Sequence, residues 1–256
     1  MSPAQRAFAR KTSALAAAST AASSALQRPT SGAEATEYEL QRERLGVDLK
    51  RLKDIQSIER KIDLKRELIA NYDPWVGGVL DAAANGARGV QDDILTHMMI
   101  WRIDTGDFAG ALPLVEYVLR WGLALPERFN RTAATMIAEE IAEAALKRLD
   151  QGEEPKEGFV DLELLLTIDD LTADHDMHDE VRAKLAKALG RELARQADAA
   201  DESADGPAGG KRAAIEAALK RLRRARELNA KAGVKKDIER LEREARKLTE
   251  STDASS

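Results

Sequence analysis

The chain has 256 residues, of which 43% are hydrophobic, 33% charged and 4% aromatic, with a formal net charge of -5. There is no cysteine, which excludes disulfides, zinc–thiolate sites and thiol nucleophiles. The apolar runs fall short of the roughly 18 residues of a membrane span, and the negative balance means that any nucleic-acid surface must come from local clusters.

Few aromatics leave Leu, Ile, Val and Ala to build the core. Ala and Leu among many Glu, Lys and Arg favour helix, because these side chains lose little rotamer freedom there. The fold expected is therefore all-α. Residues 1–36 are rich in Ala, Ser and Thr, lack an apolar face and read as a disordered arm. Residues 37–73 read as one long basic amphipathic helix. Leu45, Leu49, Leu52, Ile55, Ile58 and Ile62 recur at spacings of three and four, a stripe close to a coiled-coil seam and a candidate oligomerisation contact. Asp73-Pro74 is expected to stop it.

A central helical domain of antiparallel helix pairs follows over 74–197. Helices are expected near 90–103, from Asp107 to Trp121, and at 132–150, 160–172 and 178–197. Gly106 and Gly122 suit C-terminal caps and Asp107 an N-terminal one. Pro113 implies that the second of these helices starts near Leu112 or kinks there. Residues 198–210 are acidic, small and glycine-rich, which marks a linker. A C-terminal helical hairpin over 211–249 and a disordered tail over 250–256 complete the reading.

Two clusters carry the positive charge. Lys50, Arg51, Lys53, Arg60, Lys61, Lys65 and Arg66 lie within residues 50–66, opposed by Asp54, Glu59 and Asp63. Lys211, Arg212, Lys220, Arg221, Arg223, Arg224 and Arg226 lie within 211–226, opposed by Glu216. Either could contact phosphates, or be a solvated helix face. An acidic set, Asp92, Asp93, Asp104 and Asp107, lies within one helix–turn–helix beside His97. Convergent carboxylates can hold magnesium for phosphodiester cleavage, but capping and an Asp93–His97 pair account for the same residues. His175 and His178 sit in a polar run that reads as a loop ending in a cap. No P-loop, nucleophile elbow or H-E-x-x-H helix is present. The residues therefore point to no catalytic group, no cofactor and no membrane contact.

Several stretches together resemble the terminase small subunit of peduovirus-type temperate phages, the M-protein family. They are Ser2-Pro3-Ala4-Gln5-Arg6, Pro74-Trp75-Val76 with Gly78-Val79-Leu80, Gln91-Asp92-Asp93-Ile94-Leu95, Trp101 to Asp107 with Ala109-Gly110-Ala111-Leu112, Asp179 to Leu185, Ala232 to Lys236 and Ile238 to Glu244. The resemblance implies a subunit, working in the host bacterial cytoplasm, that recognises the cohesive-end site on double-stranded phage DNA. It would present that site to a large subunit carrying the ATPase and nuclease, and would form a homo-oligomeric ring. Two alternatives stay open: a magnesium-dependent endonuclease built on Asp92, Asp93, Asp104 and Asp107, and a non-catalytic helical adaptor. The acidic end of this chain departs from the family's basic tail, which shifts DNA contact toward 50–66 and 211–226.

Overall fold

The computed structural model describes residues 33–153, 159–202 and 210–253. The expected arm over 1–36 lies almost wholly outside them. Among the described residues every regular element is a helix. The chain divides into two compact units, residues 1–133 and 134–256. The boundary falls inside the expected central domain.

The first unit holds α1 (Ala33–Asp54), α2 (Ile58–Ala84), α3 (Asp93–Thr105) and α4 (Phe108–Trp121). The expected single helix over 37–73 is two helices, broken at residues 55–57. Ser57 takes an extended conformation and its side chain accepts from the Arg60 amide at 3.3 Å, so a hydroxyl cap starts a new helix inside an apolar stripe. The chain also reverses there. The Tyr72 hydroxyl donates to Asp48 at 2.8 Å, and Tyr38 stacks on Trp75 with centroids 5.7 Å apart. On one continuous helix residues 48 and 72 would stand about 36 Å apart at 1.5 Å per residue. Hence α1 and α2 form a hairpin, and residues 45–62 do not make one seam.

Nor does Asp73-Pro74 end a helix: α2 runs through Pro74 to Ala84. An interior proline costs roughly 3 kcal/mol. Tyr72, Trp75, Val76 and Val79 are all buried around it, and each buried large side chain contributes about 1.5–3 kcal/mol, so packing outweighs the lost hydrogen bond. α3 is buried on nearly all sides, from Ile94 to Trp101, and forms the centre of this unit. α4 starts at Phe108 with Pro113 inside it, so of the two alternatives the start near Leu112 does not hold. Ala109 and Pro113 are both exposed, so water can take the carbonyl that the proline leaves unbonded. Gly106 and Gly122 close α3 and α4 in left-handed conformations (φ 78° and 64°), as the sequence leads one to expect.

The second unit holds α5 (Ala133–Asp150), α6 (Leu162–Leu171), α7 (Asp179–Glu202), α8 (Gly210–Leu228) and α9 (Lys235–Asp253). α7 continues to Glu202, into the stretch expected as a linker, and α9 to Asp253, into the expected tail. α8 and α9 are not a detached hairpin. Ala186, Ala194 and Ala197 of α7 share one core with Ile215, Ala218, Leu219 and Leu222 of α8 and with Ile238 and Leu241 of α9. A buried ion pair joins α5 to α7: Arg148 meets Glu192, and its guanidinium also donates to the Val160 carbonyl at 3.2 Å and the Glu153 carbonyl at 2.8 Å.

Candidate nucleic-acid interface

Helix α8 presents five of its seven cations already engaged. Arg221 meets Asp169 of α6 at 2.7 Å, Arg223 meets Glu242 of α9 at 2.8 Å, and Arg224 meets Glu227 at 3.3 Å. Lys211 pairs with Glu244 at 2.7 Å and Arg212 with Glu216 at 3.0 Å. The Arg223 hydrogen bond holds the Glu242 carboxyl below its ordinary pKa, which marks a charge pair rather than a free cation. Lys220 and Arg226 remain exposed and form no ion pair among the described residues.

The α1–α2 hairpin behaves differently. Three of its seven cations within 50–66 are engaged: Arg51 with Asp48 at 3.0 Å, Arg66 with Asp63 and the Thr105 carbonyl, each at 3.2 Å, and Lys65 with Asp104. Lys50, Lys53, Arg60 and Lys61 form no ion pair among the described residues. They sit on either side of the 55–57 turn, where residues 53, 54 and 56–60 are all exposed. Ile55 there is half-buried. The hairpin therefore ends in a solvated tip flanked by four cations that form no ion pair among the described residues, an electrostatic surface for phosphates.

The oligomerisation stripe divides between the same two helices. Leu45 and Leu52 are buried in the chain's own core. Leu49, Ile55 and Ile62 are half-buried, and Ile58 is 75% exposed.

The acidic set is dispersed among separate partners. Asp92 is fully buried, caps α3 by accepting from the Ile94 and Leu95 amides at 2.9 and 3.0 Å, and accepts from the Trp75 indole at 2.9 Å. Asp93 pairs with Arg42 at 3.2 Å. Asp104 meets Lys65, and Asp107 caps α4 through the Gly110 amide at 3.0 Å while meeting Arg102. Arg102 also reaches Asp73 at 2.6 Å. A Cβ at position 110 would meet the Arg102 guanidinium and the Asp107 carboxylate, so a side chain there would require that pair to shift. His97 does not pair with the Asp93 carboxylate. Its Nδ1 donates to the Asp93 backbone carbonyl at 2.6 Å, and burial lowers its pKa. His175 and His178 lie in the turn before α7; the His178 carbonyl accepts from the Val181 and Arg182 amides. Among the described residues no three His, Cys, Asp or Glu side chains converge to hold a metal, and no helix is long and apolar enough to cross a membrane.

Sequence reasoning singled out both basic segments but could not rank them, because the partners that neutralise α8 lie 19 and 52 residues away at Glu242 and Asp169. The Ser57 cap between two stretches of Lys and Arg was the one local signal of the tip.

Comparison with known proteins places this arrangement. Residues 42–180 match the phage small terminase subunit family. The chain is 45% identical over 210 residues, 82% of its length, to a protein of Escherichia phage P2 named terminase, endonuclease subunit, and covers 75% of that protein. It is 25% identical over 236 residues, 92% of its length, to a probable terminase, endonuclease subunit of Haemophilus phage HP1, covering 80% of it. No solved structure matches. The family match covers more than half of the chain and contains the whole basic hairpin tip, and so the chain belongs to the phage small terminase subunit family.

Proposed function

We propose that the protein binds the cohesive-end packaging site of its phage DNA through the α1–α2 hairpin tip and directs the large terminase subunit to that site. Membership of the family implies DNA and a large terminase subunit as partners. The observation that carries the reading is the set of four cations, Lys50, Lys53, Arg60 and Lys61, that flank an exposed turn and form no ion pair among the described residues. Phosphates bound there would displace no internal ion pair, whereas phosphates bound on α8 would have to compete with Asp169, Glu227 and Glu242. The half-buried part of the stripe, Leu49, Ile55 and Ile62, is the surface left for a homo-oligomeric ring.

Binding of the purified protein to a cohesive-end duplex and to a scrambled duplex, across a salt series and without the large subunit, tests this. Tighter binding to the cognate duplex, with affinity falling steeply as salt rises, is expected. Absence of binding to both duplexes at low salt would leave a helical adaptor that contacts protein alone.

The names of the two relatives favour a second reading, a magnesium-dependent endonuclease using Asp92, Asp93, Asp104 and Asp107. It requires these acids to leave their caps and ion pairs. Metal-dependent nicking that disappears in Asp104→Ala would establish it, and no nicking in magnesium would remove it.

A further inference from the structure

Single exposed apolar side chains are ordinary on protein surfaces and need no explanation by themselves. Ile58 differs by its setting. At 75% it is more exposed than Val47 (59%), Leu40 (55%), Leu166 (42%) or Phe159 (38%). It is the first residue of α2 and stands at the hairpin tip, directly after the Ser57 cap. Lys50 and Lys53 precede it and Arg60 and Lys61 follow it, all four without ion pairs among the described residues. Asp54 and Glu59 are the exposed carboxylates of the tip and offset only part of that charge.

Any surface that covers Ile58 must also receive those cations. A second hairpin tip is excluded by like-charge repulsion, and an apolar protein groove would strip the cations of water without pairing them. The major groove of double-stranded DNA meets both demands. Its rims are phosphates, its width of about 12 Å admits a helix of about 10–12 Å, and its floor carries one kind of apolar group, the C5-methyl of thymine. A helix entering the groove by its N-terminal turn places its first residues on base edges. Gln56, exposed beside Ile58, adds an amide of the type that pairs with adenine N6 and N7.

We infer that the first turn of α2 reads A·T pairs in the packaging site through the major groove, with Ile58 packed on thymine methyl groups while Lys50, Lys53, Arg60 and Lys61 hold the flanking phosphates. This rests on the DNA-binding reading above, so the test must separate the two.

Fragments spanning the cohesive ends would be prepared with thymine throughout or with uracil throughout, which deletes only the C5-methyl groups. Each would be titrated with the wild-type protein, with Ile58→Ala, and with a variant carrying Lys50→Ala, Lys53→Ala, Arg60→Ala and Lys61→Ala together. The wild type should bind the thymine fragment about fourfold tighter per buried methyl group. Ile58→Ala should bind both fragments alike while keeping the wild-type salt dependence. Because Ile58 is largely solvated, its replacement leaves the core intact. Equal binding of both fragments by the wild type, or undiminished thymine preference in Ile58→Ala, would overturn the reading role of Ile58 and leave the phosphate contact standing. A four-cation variant that binds as the wild type does would overturn the DNA site itself.

Discussion

Two segments of this molecule carry the same number of basic residues and have opposite electrostatic fates. On α8, Arg221, Arg223 and Arg224 are held by carboxylates of α6, α9 and α8 itself, so much of the formal excess is neutralised in place. At the α1–α2 tip, Lys50, Lys53, Arg60 and Lys61 form no ion pair among the described residues, and Asp54 and Glu59 offset only part of their charge. Charge counted along a sequence measures supply. Charge available to a partner is what remains after the fold has spent part of that supply on its own cohesion.

The sharpest break of this comparison comes from an arginine that is paired and buried. Arg148→Met removes one of the two arginines that hold Glu192, Arg195 at 2.8 Å being the other, in the interior of the second unit, where the Arg148 and Glu192 side chains are at most 2% exposed. Because Arg195 stays in place, the loss is expected to fall below the roughly 3–5 kcal/mol of a fully stranded buried charge, read as a lowered urea midpoint. A midpoint within experimental error of wild type would show that the pair contributes no stability. Next in size, the four-alanine variant of the tip should lower the slope of log affinity against log salt by about 3.6 and weaken DNA binding by roughly a hundredfold. Alanine at Arg221, Arg223 and Arg224 together should leave that slope unchanged. If the α8 variant lost more affinity than the tip variant, the ranking of the two segments would be reversed.

A smaller effect is set by pH and concerns the unit that bears the tip. Burial lowers the His97 pKa from 6.5, so the unfolded chain takes up a proton more readily than the folded one. Stability of the first unit is then complete above about pH 6.5 and declines as the pH falls below it. Tryptophan fluorescence follows this directly, since Trp75, Trp101 and Trp121 all belong to that unit. His97→Gln should flatten the decline, and an unchanged decline would assign it to other groups. Smallest of all, Arg223→Ala should leave the urea midpoint of the second unit nearly unchanged, because its pair with Glu242 is solvated.

Much of the helical plan was legible because its signals are local. Gly106, Asp107 and Gly122 announce their helix ends by chemistry that acts within one turn, and α3 to α9 lie within a few residues of expectation, apart from the extensions of α7 and α9. The two misreadings share a cause. The break at 55–57 lies inside an unbroken apolar rhythm and is fixed by the contacts of Asp48 with Tyr72 and of Tyr38 with Trp75, 24 and 37 residues apart. Pro74 reads as a stop, yet the buried side chains around it carry the helix onward. At the candidate site the residue types were legible and their commitments were not. Asp107 was recognisable as a cap, but the cap at Asp92 was not read, and the ion pairs of Asp93 and Asp104 depend on Arg42 and Lys65 arriving from other helices.

The contact between α7 and α8 limits what this protein can become. Gly190 lies so close to α8 that a methyl group there would fall 2.6 Å from Leu222 Cγ, and the neighbouring α7 positions in that core are the alanines Ala186, Ala194 and Ala197. Enlarging any of them pushes the helices apart and loosens the whole second unit. Substitutions in a changing phage population are therefore admitted mainly on the outward faces of these helices. Those faces are where a large subunit with a changing surface of its own would have to be followed.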